Sequence, residues 1–374
     1  MRDASPVPLF RVLTSEDAPR AILDAISTGT ITEGPRVREL EAKLGVVLDP
    51  RDGRPVLAVN SGTSALHLAL TLLDLAPGDE VISTPITCAA TSCAIVRAGG
   101  KIVWADVDPR TGRIDAHDVA TRTTSRTRAV VCVDWGGALC DVAALRAAVN
   151  AGVAAPSTVI EDAAHAFGAE RTGAVPDVAC WSFQAIKHLT TGDGGALSVR
   201  DGRARERARR LRWFGIDRAA PGPNIEKPIE EAGFKYHMND LAAAIGLVNL
   251  PLAVAAVARH RENAAWYGDV LRGVPGVRLP PADPGSAWWL YTLILEPDDA
   301  QRGFIQFMAE RGVECSRVHA RNDAHPAFGA GPADLPGVAY FDGHQVAIPV
   351  GWWVDEEARG RVAGTVLAWA RENA

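Results

Sequence analysis

Val56-Leu57-Ala58-Val59-Asn60-Ser61-Gly62-Thr63-Ser64-Ala65-Leu66-His67-Leu68-Ala69-Leu70 runs from a short apolar stretch through a turn of small hydroxylated residues into a second apolar stretch. The first stretch reads as a strand and the second as a helix beginning at Ala65. Backbone N–H groups in the turn attract an anion without a basic side chain, although an ordinary Ser or Thr helix cap has the same composition. Further short apolar runs follow at Glu80–Ser83, Lys101–Ala105, Ala129–Val133 and Ser157–Ile160, separated by helical stretches such as Val142–Asn150. This alternation predicts an α/β fold, a mainly parallel sheet covered by helices. Ligands of such sheets sit at the carboxyl ends of the strands, where Asn60, Ser61, Asp106, Asp134 and Asp162 fall.

Lys187 is one of only five lysines, the others being Lys43, Lys101, Lys227 and Lys235, against a large excess of arginine. It lies between Trp181-Ser182-Phe183 and the glycine-rich turn Gly192-Asp193-Gly194-Gly195. Arginine replaces lysine wherever only charge is wanted, but it cannot lose its proton and form an imine with a carbonyl. Upstream, Val159-Ile160-Glu161-Asp162-Ala163-Ala164-His165 reads as a buried strand ending in two carboxylates. A pyridinium ring needs a carboxylate to keep its nitrogen protonated, so Lys187 with Asp162 suggests pyridoxal phosphate. A surface lysine and a helix-capping aspartate are the ordinary explanations of the two residues taken singly.

The stretches Asn60-Ser61-Gly62-Thr63-Ser64-Ala65-Leu66, Glu161-Asp162-Ala163-Ala164-His165, Ser182-Phe183-Gln184-Ala185-Ile186-Lys187 through Gly195, and Gly233-Phe234-Lys235-Tyr236-His237-Met238-Asn239-Asp240-Leu241 together resemble the DegT/DnrJ/StrS family of sugar aminotransferases. The resemblance extends from about Ile31 to the C-terminus and is dense to about Leu250. It implies fold type I of the pyridoxal-phosphate enzymes, with a mainly parallel seven-stranded sheet in a large domain and a smaller α+β C-terminal domain. It also implies a homodimer with active sites at the subunit interface. The implied activity moves an amino group from glutamate or glutamine to a keto-sugar, usually nucleotide-linked, in amino-sugar biosynthesis for an antibiotic or a surface polysaccharide.

By the same resemblance, Lys187 forms the imine with pyridoxal 5′-phosphate and then shuttles a proton, while Asp162 holds the pyridinium charge. Ser61, Gly62, Thr63, Ser64 and Ser182 are the candidates for the phosphate cradle, with Thr63 and Ser64 the closest match to the family motif, and His165 lies near the ring's 3′-oxygen. Two positions depart from the common pattern. Cys88 stands where many members carry an aromatic that stacks on the cofactor, and Lys235 where many carry an asparagine reaching the phosphate from the neighbouring subunit. A cation at Lys235 complements a phosphate dianion. One branch of the family carries histidine in place of the lysine and dehydrates; here His188 only follows an intact Lys187. Thr32, in the loop Thr32-Glu33-Gly34-Pro35, His188, and His319, Arg321 and Asn322, in the polar stretch Val318–His325, are the substrate candidates. Trp213-Phe214-Gly215 and Trp352-Trp353 are either apolar walls or core packing.

The length of 374 residues and the 47% hydrophobic share fit two domains, residues 1–250 with an N-terminal arm and residues 251–374, divided where the character changes near Pro251. Helices are expected within Ala18–Gly45, at Asp201–Arg212, Met238–Ala255, Ala300–Arg311 and Glu356–Asn373, and a strand at Ala287–Leu295. A net charge of −6 offers no basic field for nucleic acid. The six cysteines form no CxxC pair, which suits free thiols, and no metal-ligand set is expected. No apolar signal region at the N-terminus and no bilayer-spanning segment are seen, so the expectation is the cytoplasm without a membrane partner. Transfer to a keto-inositol-type polyol ketone, a pyridoxal-phosphate sugar dehydratase, and a non-catalytic cofactor-binding regulator are the alternative functions.

Overall fold

The computed structural model describes residues 5–48, 53–151, 157–296, 298–329 and 331–373. Met1–Ala4, on which part of the signal-region reading rests, lie outside the described residues. The large sheet contains β1 (Val56–Val59), β2 (Glu80–Ser83), β3 (Lys101–Trp104), β4 (Thr127–Val133), β5 (Thr158–Asp162), β6 (Val178–Ser182) and β7 (Gly195–Val199) in the order β1-β7-β6-β5-β4-β2-β3. Only β7 runs against its neighbours, pairing antiparallel with both β1 and β6, while the other neighbouring pairs are parallel. Three helices pack on one face: α3 (Gly62–Thr71), α4 (Ala89–Arg97) and α7 (Gly202–Leu211). The opposite face carries α2 (Pro35–Leu48), α5 (Ala116–Arg122), α6 (Val142–Asn150) and α8 (Asp240–Val270). A preceding helix, α1 (Ala18–Ser27), packs along α8. The period of two divides β1 between these layers, with Val56 and Ala58 toward α2 and α8 and Leu57 and Val59 toward α3.

The C-terminal unit is a three-stranded antiparallel sheet of β8 (Val277–Arg278), β9 (Tyr291–Leu295) and β10 (Gln345–Ile348), with α9 (Ala300–Glu310), α10 (Pro336–His344) and α11 (Glu356–Glu372). Phe304 and Met308 of α9, Val362, Val366 and Trp369 of α11, and Leu293 and Leu295 of β9 share one core.

The sequence boundary at residue 250 falls inside α8. Pro251 does not end this 31-residue helix. Its first half, with Ala243, Leu250 and Val257, belongs to the core of the large sheet, while Ala264 and Tyr267 enter the C-terminal core. Burial on both sides keeps the helix continuous where a proline alone would favour a break. The helix also corrects the reading that no segment could span a bilayer: α8 is long and apolar enough to do so. Its apolarity serves packing, since α1 and α2 lie along it and both cores take residues from it. The N-terminal arm, expected with the large domain, docks on the C-terminal unit instead, where Val7 N donates to Gly312 O at 2.8 Å and accepts through its carbonyl from Glu314 N at 3.0 Å.

Candidate active site

The turn after β1 opens α3 with a side-chain cap and, among the described residues, leaves N–H groups free. Ser61 caps α3 by accepting from Ser64 N at 3.0 Å, and Ser64 Oγ donates to Asn60 Oδ1 at 2.6 Å. The helix therefore starts at Gly62, three residues before the expected Ala65. Among the described residues, no acceptor engages the Gly62 and Thr63 N–H groups, which point from a positive helix end. Glycines bring the walls together: a Cβ on Gly62 would lie 2.8 Å from Ser182 Cβ, and one on Gly195 would lie 2.5 Å from the Ser61 carbonyl carbon. Gly62 thus brings the start of α3, with Thr63 and Ser64 next in the chain, against Ser182, while the Ser64 hydroxyl is engaged by Asn60 and Ser61. Lys235 has an exposed side chain, and its carbonyl accepts from Asn60 Nδ2 at 3.2 Å beside this turn.

Asp162 ends β5 on the face toward α4. Thr91 Oγ1 donates to its Oδ2 at 2.7 Å, Ala164 N donates to its Oδ1 at 3.2 Å, and Thr87 Oγ1 lies 2.7 Å from Thr91 Oγ1. Burial raises the Asp162 pKa, opposed by the Thr91 and Ala164 hydrogen bonds and by the positive charge of Lys187. No cation among the described residues lies within ion-pair distance of it.

Lys187 sits in the β6–β7 connection, which is closed at its base by Phe183 N donating to Gly194 O at 2.8 Å and Thr191 N donating to Phe183 O at 3.0 Å. Its half-buried Nζ lies 3.5 Å from the centre of the Trp289 ring. Burial lowers its pKa to about 8, while Asp162 and Cys88 pull the other way. His165 is buried, stacks on Trp289 at 4.0 Å and has no partner for Nδ1 among the described residues. Burial, with Lys187 next in weight, holds the His165 pKa well below its usual value, so the ring is neutral.

The substrate candidates separate into two groups. His319 faces the site: its ring is 6.0 Å from that of His165, its Nε2 lacks a partner among the described residues, and burial with Lys187 nearby lowers its pKa to about 4. Thr32 is exposed, and its carbonyl accepts from Asp240 N at 2.8 Å. The other three are engaged within the chain. Asn322 is buried and donates to Cys88 O at 3.3 Å and Ser92 Oγ at 3.0 Å, so it clamps the start of α4 instead of facing a ligand. Arg321 donates twice to buried Asp323, at 2.7 and 2.6 Å, and once to Ala333 O at 2.9 Å. His188 turns into the core, where its Nε2 is 3.0 Å from Ala287 O and its ring is 4.6 Å from that of His260. Adjacent side chains on this loop point opposite ways, which separates His188 from Lys187.

Cys88 is exposed at the start of α4. Two residues that the sequence reading left without a role stand at the centre, Thr91 and Trp289. The expected strand Ala287–Leu295 begins only at Tyr291, because Ala287 N donates to Gly137 O and Leu290 N to Gly136 O instead of to a strand. Trp289 is thereby released toward Lys187. A cavity of about 350 Å³ lies on the other face of β5, lined by Glu161, Arg171 and Trp181.

The model of the DegT/DnrJ/EryC1/StrS aminotransferase family matches residues 13–366. The crystal structure of AtS13 from Actinomadura melliaura is 39% identical, with a TM-score of 0.90, covering 98% of this chain and 100% of that one. The sugar aminotransferase CalS13 from Micromonospora echinospora is 37% identical, with a TM-score of 0.89, covering 97% and 99%. A dTDP-4-dehydro-2,3,6-trideoxy-D-glucose 4-aminotransferase from Saccharopolyspora spinosa is 35% identical over 310 residues, 79% of each chain. The chain belongs to the DegT/DnrJ/EryC1/StrS aminotransferase family and is an aminotransferase.

Proposed function

We propose that this aminotransferase uses pyridoxal 5′-phosphate to aminate a nucleotide-linked keto-deoxysugar, with glutamate or glutamine as donor. The observation that carries the reading is Lys187: a half-buried amine with a pKa of about 8, close to the buried carboxylate of Asp162. At pH 7 roughly a tenth of such an amine is neutral, against a few parts in ten thousand for an ordinary lysine. Only the neutral amine attacks a carbonyl. The chain's residues fit the cofactor: unused N–H groups at the start of α3 suit its phosphate, and the uncompensated Asp162 suits a protonated ring nitrogen. When bound, the cofactor acts as an electron sink for the substrate carbon.

In this reading Gly62, Thr63, Ser64 and Ser182 hold the phosphate, and Thr91 orients Asp162. His165, being neutral, can donate or accept at the ring's 3′-oxygen, with Cys88 beside it. Lys187, once free of the cofactor, moves the proton at the substrate carbon. His319 and Thr32 border the sugar. The sugar class rests on the relatives' substrates. A homodimer in which Lys235 reaches the partner's phosphate is supported by exposed Phe214, Ile225 and Ile229 on the segment leading to Lys235. A cytoplasmic setting suits the six free cysteines. The test is a panel of nucleotide-linked keto-deoxysugars and keto-inositols incubated with glutamate and cofactor: amination of a sugar nucleotide supports the assignment, and amination of the inositol alone overturns it.

A further inference from the structure

Trp289 is built into its position from both backbone and side chain. Ala287 N donates to Gly137 O at 3.0 Å and Leu290 N to Gly136 O at 3.3 Å, which fixes the segment on either side. From the opposite direction His188 Nε2 lies 3.0 Å from Ala287 O and His260 Nδ1 lies 2.8 Å from Trp288 O. Between these anchors Trp288 has φ 48°, a left-handed conformation that costs an aromatic residue energy and persists only where the surroundings impose it. Gly137 leaves no room for slack, since a Cβ there would lie 2.7 Å from Trp288 N. The indole is fixed as well: Nε1 donates to Ile186 O at 3.0 Å, and the ring stacks with His165 at 4.0 Å and with Phe10 at 5.0 Å.

Such effort at a residue away from any regular element has one evident object. Lys187 Nζ lies 3.5 Å from the centre of that ring, over its electron-rich face. We propose that Trp289 is a positioning residue for Lys187: its indole holds the amine over the ring by a cation–π contact, supplying from the C-terminal unit an aromatic wall that position 88 lacks. The titratable groups facing the amine are Asp162 and Cys88, which favour its ammonium form, and His165 and His319, whose pKa values burial lowers; His188, on the same loop, turns away into the core. Trp289 adds to the first set and offsets part of the desolvation, so that roughly a tenth of the amine is neutral at pH 7, where a pKa about one unit lower would leave about half of it neutral. Its bearing on catalysis rests on the proposed role of Lys187.

Five lysines make the test tractable. In the cofactor-free full chain carrying labelled lysine, NMR gives the pKa of each amine, and the Lys187 signal is the one missing from Lys187→Arg. Site-specific replacement of Trp289 by tryptophans of rising ring fluorination keeps the shape while draining the negative face. The Lys187 pKa should fall stepwise, by about one unit in all. Trp289→Leu should lower it similarly and Trp289→Phe less. A Lys187 pKa that stays constant or rises across the fluorinated series, which does not depend on whether the leucine variant folds, overturns the proposal. Because no cofactor is present, this outcome is separate from failure of the cofactor assignment, which a colourless cofactor-treated wild type would reveal.

Discussion

Thr91 Oγ1 donates to Asp162 Oδ2 at 2.7 Å across 71 residues of sequence, so the buried carboxylate at the end of β5 is aimed by the first turn of α4. This bond lowers the pKa of a group that burial raises.

Removing that donor should make Asp162 easier to protonate. Thr91→Val should weaken retention of pyridoxal phosphate and lower kcat about tenfold, while Thr91→Ser retains both. The sign follows from the charge: Asp162 serves as an anion, activity falls as pH drops through its pKa, and loss of the Thr91 bond raises that pKa. The acid limb of the pH profile should therefore move to higher pH in Thr91→Val. An unmoved acid limb would reduce Thr91 to packing.

Lys187 should control cofactor loading through its neutral form. With a pKa of about 8, the second-order rate of loading should rise close to tenfold per pH unit below that value and level off above it. Stopped-flow absorbance reads this directly. A rise continuing to pH 10 would mean that burial does not depress this amine.

The glycines of the cradle should resist substitution unequally. Gly195→Ala sets a methyl against the Ser61–Gly62 backbone, whereas Gly62→Ala meets the Ser182 side chain. Gly195→Ala should cost about 1–3 kcal/mol in urea unfolding, with loss of cofactor retention, and Gly62→Ala less. Equal stability of both variants with the wild type would contradict the close approach.

Asn322→Ala tests the reassignment of that residue. Truncation leaves Ser92 Oγ without its buried donor, while Cys88 O keeps Thr91 N, so stability should fall by about 1–3 kcal/mol, with the KM for the sugar changing little. A large KM effect at unchanged stability would return Asn322 to the substrate site.

Elements governed by local pattern were legible in the sequence. Val56–Val59, Glu80–Ser83 and Val142–Asn150 fall at their expected bounds, and Lys187 and Asp162 stand out by composition and position. What sequence concealed was non-local. Trp289 reaches Ile186 over 103 residues, and the reading of Ala287–Leu290 as strand missed a segment whose hydrogen bonds go to Gly136 and Gly137. The change of character near Pro251 reads as a boundary, yet two cores bury α8 on either side of it. The polarity of Val318–His325 suggested ligand contact for the whole stretch; the fold spends Arg321 and Asn322 on internal bonds and leaves His319 facing the site.

The central claim is that Lys187 is the amine that binds the cofactor. Borohydride reduction of the cofactor-loaded protein, followed by digestion and mass spectrometry, fixes the attachment covalently. The adduct should be found on the peptide carrying Lys187 and nowhere else among the five lysines. An adduct on Lys235, or none in a folded protein supplied with cofactor, would contradict the account.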